Sequence, residues 1–106
     1  MTDVIFTRQA EAEFDEASGW YAARSVSAAE KWLDAIERII DQLEVDPHRF
    51  PPAIECQAFP MPMQQATFGG GRKATHRLVF AIRPDKVVVY AVRHLAQREL
   101  SPDDLV

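Results

Sequence analysis

Residues 75–94 read THRLVFAIRPDKVVVYAVRH, and their pattern decides the fold. Residues 75–83 alternate, residues 86–94 are rich in Val and Tyr, and Pro84-Asp85 between them suits a tight turn because Pro presets its own φ. The stretch predicts a β-hairpin. With a loop of two or four residues, Leu78, Phe80 and Ile82 share one face with Val87, Val89 and Ala91. Arg77, Val79 and Ala81 then share the other with Val88, Tyr90, Val92 and His94, whereas a three-residue loop reverses the pairing.

Upstream, residues 64–68 form a further candidate strand, and Gly69-Gly70-Gly71 supplies a turn before Arg72 and Lys73. This triple glycine lacks a G-K-[ST] ending and opens no helix, so it does not read as a phosphate loop. Five of the seven prolines fall between Pro47 and Pro62, which predicts a packed loop with Phe50, Ile54 and Phe59 over the end of the core.

The first half of the chain reads as helical. After the β-prone run Val4-Ile5-Phe6, Thr7 is placed to cap a helix over 8–24, with Ala10, Phe14, Ala17 and Tyr21 on one face. Ser27 and Glu30 have capping-box spacing and predict a second helix from about Ala28. Trp32, Leu33, Ile36, Ile39, Ile40 and Leu43 form its apolar stripe, and Asp46-Pro47 stops it. So short a connection predicts an antiparallel helix hairpin. The expected architecture is a single α+β domain over 1–106, with the hairpin on one face of a small, mainly antiparallel sheet. The other face and the tail are then free for a partner.

Composition is consistent with one core: 106 residues, 47% hydrophobic and 26% charged. The lone Cys56 has no disulfide partner, and no His/Cys/Asp set has metal spacing, so neither metal nor cofactor is expected. No apolar run reaches signal-peptide length, and the expected location is the cytoplasm. The net charge of −4 hides a segregation: residues 1–46 hold four Lys/Arg against eleven Asp/Glu, residues 72–106 seven against four. A locally basic surface on an acidic chain favours one anionic contact and argues against general coating of nucleic acid.

The basic half holds the candidate chemistry: Arg72, Lys73, Arg77, Tyr90, Arg93, His94 and Arg98, with Asp85 the only acid between residues 72 and 98. Guanidinium groups bind phosphate, and Tyr or His moves protons, which together suffice for RNA cleavage by 2′-oxygen attack. Each side chain also has an ordinary role open to it. Strand-face Arg and Lys serve solubility, Tyr packs half-buried, and a lone His is commonly a hydrogen-bonded structural residue. His48 and His76 stand isolated, and the helix carboxylates read as a solvated face.

The order of strand, helix hairpin, proline-bearing loop and hairpin resembles the ParE/RelE toxins of type II toxin–antitoxin systems, the plasmid-stabilisation type. His76-Arg77-Leu78-Val79-Phe80-Ala81-Ile82 is similar to the family's R-x-x-Y/F-x-I strand, and Val92-Arg93-His94 to its V-R-H strand end. The resemblance implies a toxin neutralised by a cognate antitoxin in a hetero-oligomer. A ParE-like member inhibits DNA gyrase by binding, and Arg72, Lys73, Arg98 and Leu100 are then target-contact candidates. A RelE-like member is a metal-independent endoribonuclease acting on mRNA at the ribosome, and Arg77, Tyr90, Arg93 and His94 are then the catalytic candidates. Sparse Lys and Arg, and a tail Ser101 to Val106 with two Asp and neither Tyr nor His, favour the ParE-like reading. A decayed toxin that only binds antitoxin is the third possibility.

Overall fold

The computed structural model describes residues 2–105, so Met1 and Val106, the last residue of the tail, lie outside them. The chain runs β1 (Asp3–Phe6), α1 (Arg8–Arg24), α2 (Val26–Val45), β2 (Gln64–Phe68), β3 (His76–Ile82) and β4 (Lys86–His94). Short 3-10 turns occupy Pro47–Arg49, Cys56–Ala58 and Pro102–Leu105. The sheet order is β1-β4-β3-β2, with β1 parallel to β4 and the other pairs antiparallel. Two helices packed on a four-stranded mixed sheet is the α+β architecture expected from the sequence. No helix among the described residues is long and apolar enough to cross a membrane.

Thr7 caps α1 as anticipated, its Oγ1 accepting from Ala10 N–H at 3.1 Å. The second helix starts two residues before Ala28, and Ser25 replaces the expected Ser27–Glu30 box. Ser25 sits in extended backbone (φ −164°, ψ 123°), donates its N–H to Tyr21 O to end α1, and accepts from Ala28 N–H at 3.2 Å to begin α2. A one-residue joint leaves only Ser25 outside helical geometry, so it alone can cap, and Ser27 falls inside the helix.

The hairpin lays Ala10, Trp32, Ile36 and Leu43 on Leu78, Phe80, Val87, Val89 and Val92. Trp32 is fully buried and stands among the rings of Phe14, Tyr21, Phe68 and His76 at centroid distances of 5.3–5.7 Å. The opposite sheet face is not free. Ala53, Phe59 and Met63 from the proline-bearing segment, with Leu100 from the tail, bury Val79, Ala81 and Ala91 in a second core. β3 is apolar on both faces, and such a strand must be covered on both. Phe50 instead meets Phe80 edge-on in the first core, and Ile54, expected to cover the core, is 61% exposed.

A bulge in β4 revises the expected face sharing. Arg83 N–H donates to Lys86 O at 2.8 Å and closes a two-residue loop, and Ile82 faces Val87 and Phe80 faces Val89. Val79 then pairs with Ala91, leaving Tyr90 as the extra residue. Beyond it the strand is turned over. Val92 and His94 join Leu78 and His76 on the helix side, while Ala91 and Arg93 join Val79 and Arg77 on the other. Between β2 and β3 the turn folds back so tightly that a Cβ on Gly69 would lie 2.7 Å from Lys73 O, which only glycine avoids.

Two predictions test this anatomy by urea denaturation. Ser25→Ala costs about 1 kcal/mol and Ser27→Ala close to nothing, because only the first removes a cap. Leu100→Ala costs about 2–5 kcal/mol, as a core residue does, and a loss under about 0.5 kcal/mol would refute a packed tail.

Candidate functional site

β3 aims Arg77 into the second core, where it is 4% exposed. Its guanidinium grips Glu55 with both Nη atoms, the Nη1 bond to Oε1 being 2.7 Å, and Nη1 also reaches Gln65 Oε1 at 3.1 Å. Glu55 Oε2 in addition accepts from Leu100 N–H at 2.7 Å. One carboxylate thus joins β3, the proline-bearing segment and the tail. Burial opposes ionisation of Glu55, but the Arg77 bond and the Leu100 N–H outweigh it and hold its pKa below the ordinary carboxylate value.

Arg93 lies across from Arg77 in the ladder and is 6% exposed. Its Nη2 donates to Arg98 O at 2.6 Å, and its buried Nε has no partner among the described residues. The other candidates sit elsewhere. Tyr90, at the bulge, accepts at its hydroxyl from Arg83 Nη2 at 3.0 Å, and His94 is on the helix side. The set Arg77, Tyr90, Arg93 and His94 therefore divides among three places, with only the two arginines side by side.

Of the target-contact candidates, Arg72 and Lys73 are exposed in the turn before β3. Arg98 is exposed and forms a forked pair with Asp104, at 2.8 and 2.6 Å, which raises the arginine's pKa and lowers the carboxylate's. Leu100 is 2% exposed and belongs to the second core.

Sequence reading passed over two residues that organise these regions. Glu55 is the only acid in residues 47–71, and a lone carboxylate in an apolar, proline-rich segment signals a buried partner. His76 looked isolated but faces His94 across the ladder, ring centroids 5.0 Å apart. Its Nδ1 accepts from Trp32 Nε1–H at 3.3 Å and meets Thr75 Oγ1 at 2.8 Å. Burial, then the neighbouring His94, push its pKa down to about 4. Both imidazoles border a cleft against α1, lined also by Glu13, Glu16, Trp20 and Tyr21. Among the described residues no three His, Cys, Asp or Glu side chains are placed to hold a metal ion.

Arg77→Met strands Glu55 in the core and costs about 3–5 kcal/mol, and adding Glu55→Gln recovers part of that loss because the buried charge is gone. Equal stability of the single variant and the parent, measured in urea, would contradict the pairing. The histidine adds an acid dependence. Unfolded His76 takes up a proton near pH 6.5 and the folded one not until about 4. Its contribution is therefore complete above 6.5 and drains as pH falls between the two values, by up to about 3 kcal/mol. His76→Asn flattens that part of the stability profile, and an unchanged profile would show that the ring titrates freely.

No curated protein matches the chain at a meaningful level. Residues 4–99, nearly the whole length and including both helices, all four strands but for Asp3, and Glu55, match the family model described as the ParE toxin of type II toxin-antitoxin system, parDE, and the chain belongs to that family.

Proposed function

We propose that this toxin acts by binding, inhibiting DNA gyrase, and that a cognate antitoxin neutralises it in the cytoplasm. The observation that carries this reading is the burial of Arg77 and Arg93, 4% and 6% exposed. RNA cleavage by 2′-oxygen attack needs cations that reach the phosphate and a proton carrier beside them. Here one guanidinium is held by Glu55 and the other by a tail carbonyl. His94 lies on the opposite sheet face from both. Neither guanidinium can reach a phosphate without unpacking the second core.

Of the candidate cations, the three that are exposed, Arg72, Lys73 and Arg98, lie near one end of the sheet. Leu95 N–H donates to Thr75 O at 2.9 Å, so the turn bearing Arg72 and Lys73 and the tail bearing Arg98 leave the sheet together. These three are the proposed gyrase contacts, while Leu100 and Glu55 hold the tail in position for them.

Pulse labelling after induction without antitoxin tests the reading, with DNA synthesis expected to stop before protein synthesis. Protein synthesis failing first would replace gyrase with ribosome-bound mRNA as the target, and no effect on either would leave an inert antitoxin-binding module. In a supercoiling assay with purified gyrase, Arg72→Glu with Lys73→Glu is expected to weaken inhibition about tenfold, as charge reversal at an interface rim does. Undiminished inhibition would move the contact surface elsewhere.

A further inference from the structure

A cleft of about 420 Å³ opens between α1 and the end of β4, a volume typical of sites that hold a small ligand or an inserted side chain. One wall carries Glu13 and Glu16, and neither pairs with a cation among the described residues. Glu13 is fixed in place. β1 covers β4 only as far as Val89, and past that point Glu13 Oε1 accepts from Val92 N–H at 2.9 Å. The carboxylate thereby substitutes for a missing strand and keeps its second oxygen for something else.

The floor offers donors. Trp32 Nε1–H can only donate, so His76 Nδ1 is its acceptor and the proton of the neutral ring sits on Nε2. His94 Nδ1 accepts from Ala96 N–H at 3.0 Å, which places its proton on Nε2 as well. His76 is more than nine-tenths buried, it lines the cleft, and its Nε2 has no hydrogen-bond partner among the described residues. At the mouth Trp20 is 53% exposed. The Arg24 guanidinium already lies 3.7 Å from its ring centroid, so this indole is in use as a platform for a guanidinium.

The matching ligand has a planar cation for the carboxylates and the indole, and a carbonyl oxygen for the imidazole N–H groups. An arginine within a polypeptide carries all of these, and a lysine lacks the flat, forked cation. We propose that this cleft seats an arginine of the antitoxin, its guanidinium against Glu13, Glu16 and Trp20 and its main-chain carbonyl on the imidazoles. The excess of acids in residues 1–46 makes the surrounding helical surface complementary to such a segment. The identity of the partner rests on the toxin–antitoxin reading, while the cation site rests on the cleft alone.

The test titrates N-acetyl-arginine amide into the full chain and follows the Trp20 indole N–H and the His94 and Gln97 amides by NMR. Saturable shifts are expected, with the neutral isostere N-acetyl-citrulline amide binding about tenfold more weakly and Glu16→Gln causing a similar loss, as expected for charge-assisted hydrogen bonds. Both Glu16 and Trp20 are exposed, so Glu16→Gln and Trp20→Ala leave the fold intact. Equal binding of the two probes, or no saturable shift, would overturn the site and leave the toxin reading untouched. Repeating the titration on the toxin–antitoxin complex identifies the occupant. Exclusion of the probe supports the antitoxin arginine, and undiminished binding overturns it. A chain that binds the probe but has no antitoxin overturns the occupant together with the toxin reading, a result distinct from failure of the cleft.

Discussion

β3 is buried on both faces, and the rest of the structure answers that one constraint. Leu78 and Phe80 require the helix hairpin, while Val79 and Ala81 require a second cover that regular structure does not supply. The proline-bearing segment and the tail provide it. Prolines suit this task, since the segment joins the sheet through one short bridge, Pro52 opposite Gln64 at the β2 edge, and elsewhere has little use for backbone N–H donors. What reads as a connection between helix and strand is half of the packing.

Arg77 is the polar counterpart of the same constraint. A strand that is covered on both sides takes its charged residues inside with it, and a buried guanidinium is tolerated only when paired. Glu55 supplies the charge, and its remaining lone pairs take the Leu100 N–H. The pair therefore specifies where the cover docks, fixing the segment and the tail against one strand. In this member of the ParE toxin family, a residue type suited to catalysis serves as an internal fastener, and of the cations in the basic half singled out as candidates only Arg72, Lys73 and Arg98 are exposed.

The bulge at Tyr90 divides the charged end of the hairpin between two surfaces. Without it, His94 would share a face with Arg77. With it, Arg93 goes into the second core and His94 joins His76 beside α1. The same local insertion coincides with the end of β1, so the exposed β4 edge is capped by Glu13 from the helix. A side chain that satisfies a strand edge also discourages a further strand from pairing there.

Local patterns in the residues were enough to specify every helix and strand, since the stripe Trp32-Ile36-Leu43 and the alternation of residues 76–82 are properties of short segments with one period each. Thr7 as a cap and a tight turn at Pro84-Asp85 were legible for the same reason, whereas the length of that turn was set by the Arg83–Lys86 hydrogen bond. Ser25 was not, because Ser27-x-x-Glu30 is an equally good local signal and only the length of the joint between packed helices chooses between them. The partners of Glu55, the burial of Arg77 and Leu100, and the meeting of His76 with His94 were beyond local reading. Each depends on segments 18 to 45 residues apart, and one extra residue at Tyr90 inverts every later side chain while leaving the alternation of polar and apolar residues nearly unchanged. The sequence by itself determined the elements and the family; which arginines can reach another molecule was decided by the second cover on the sheet, and where the histidines meet by the bulge in β4.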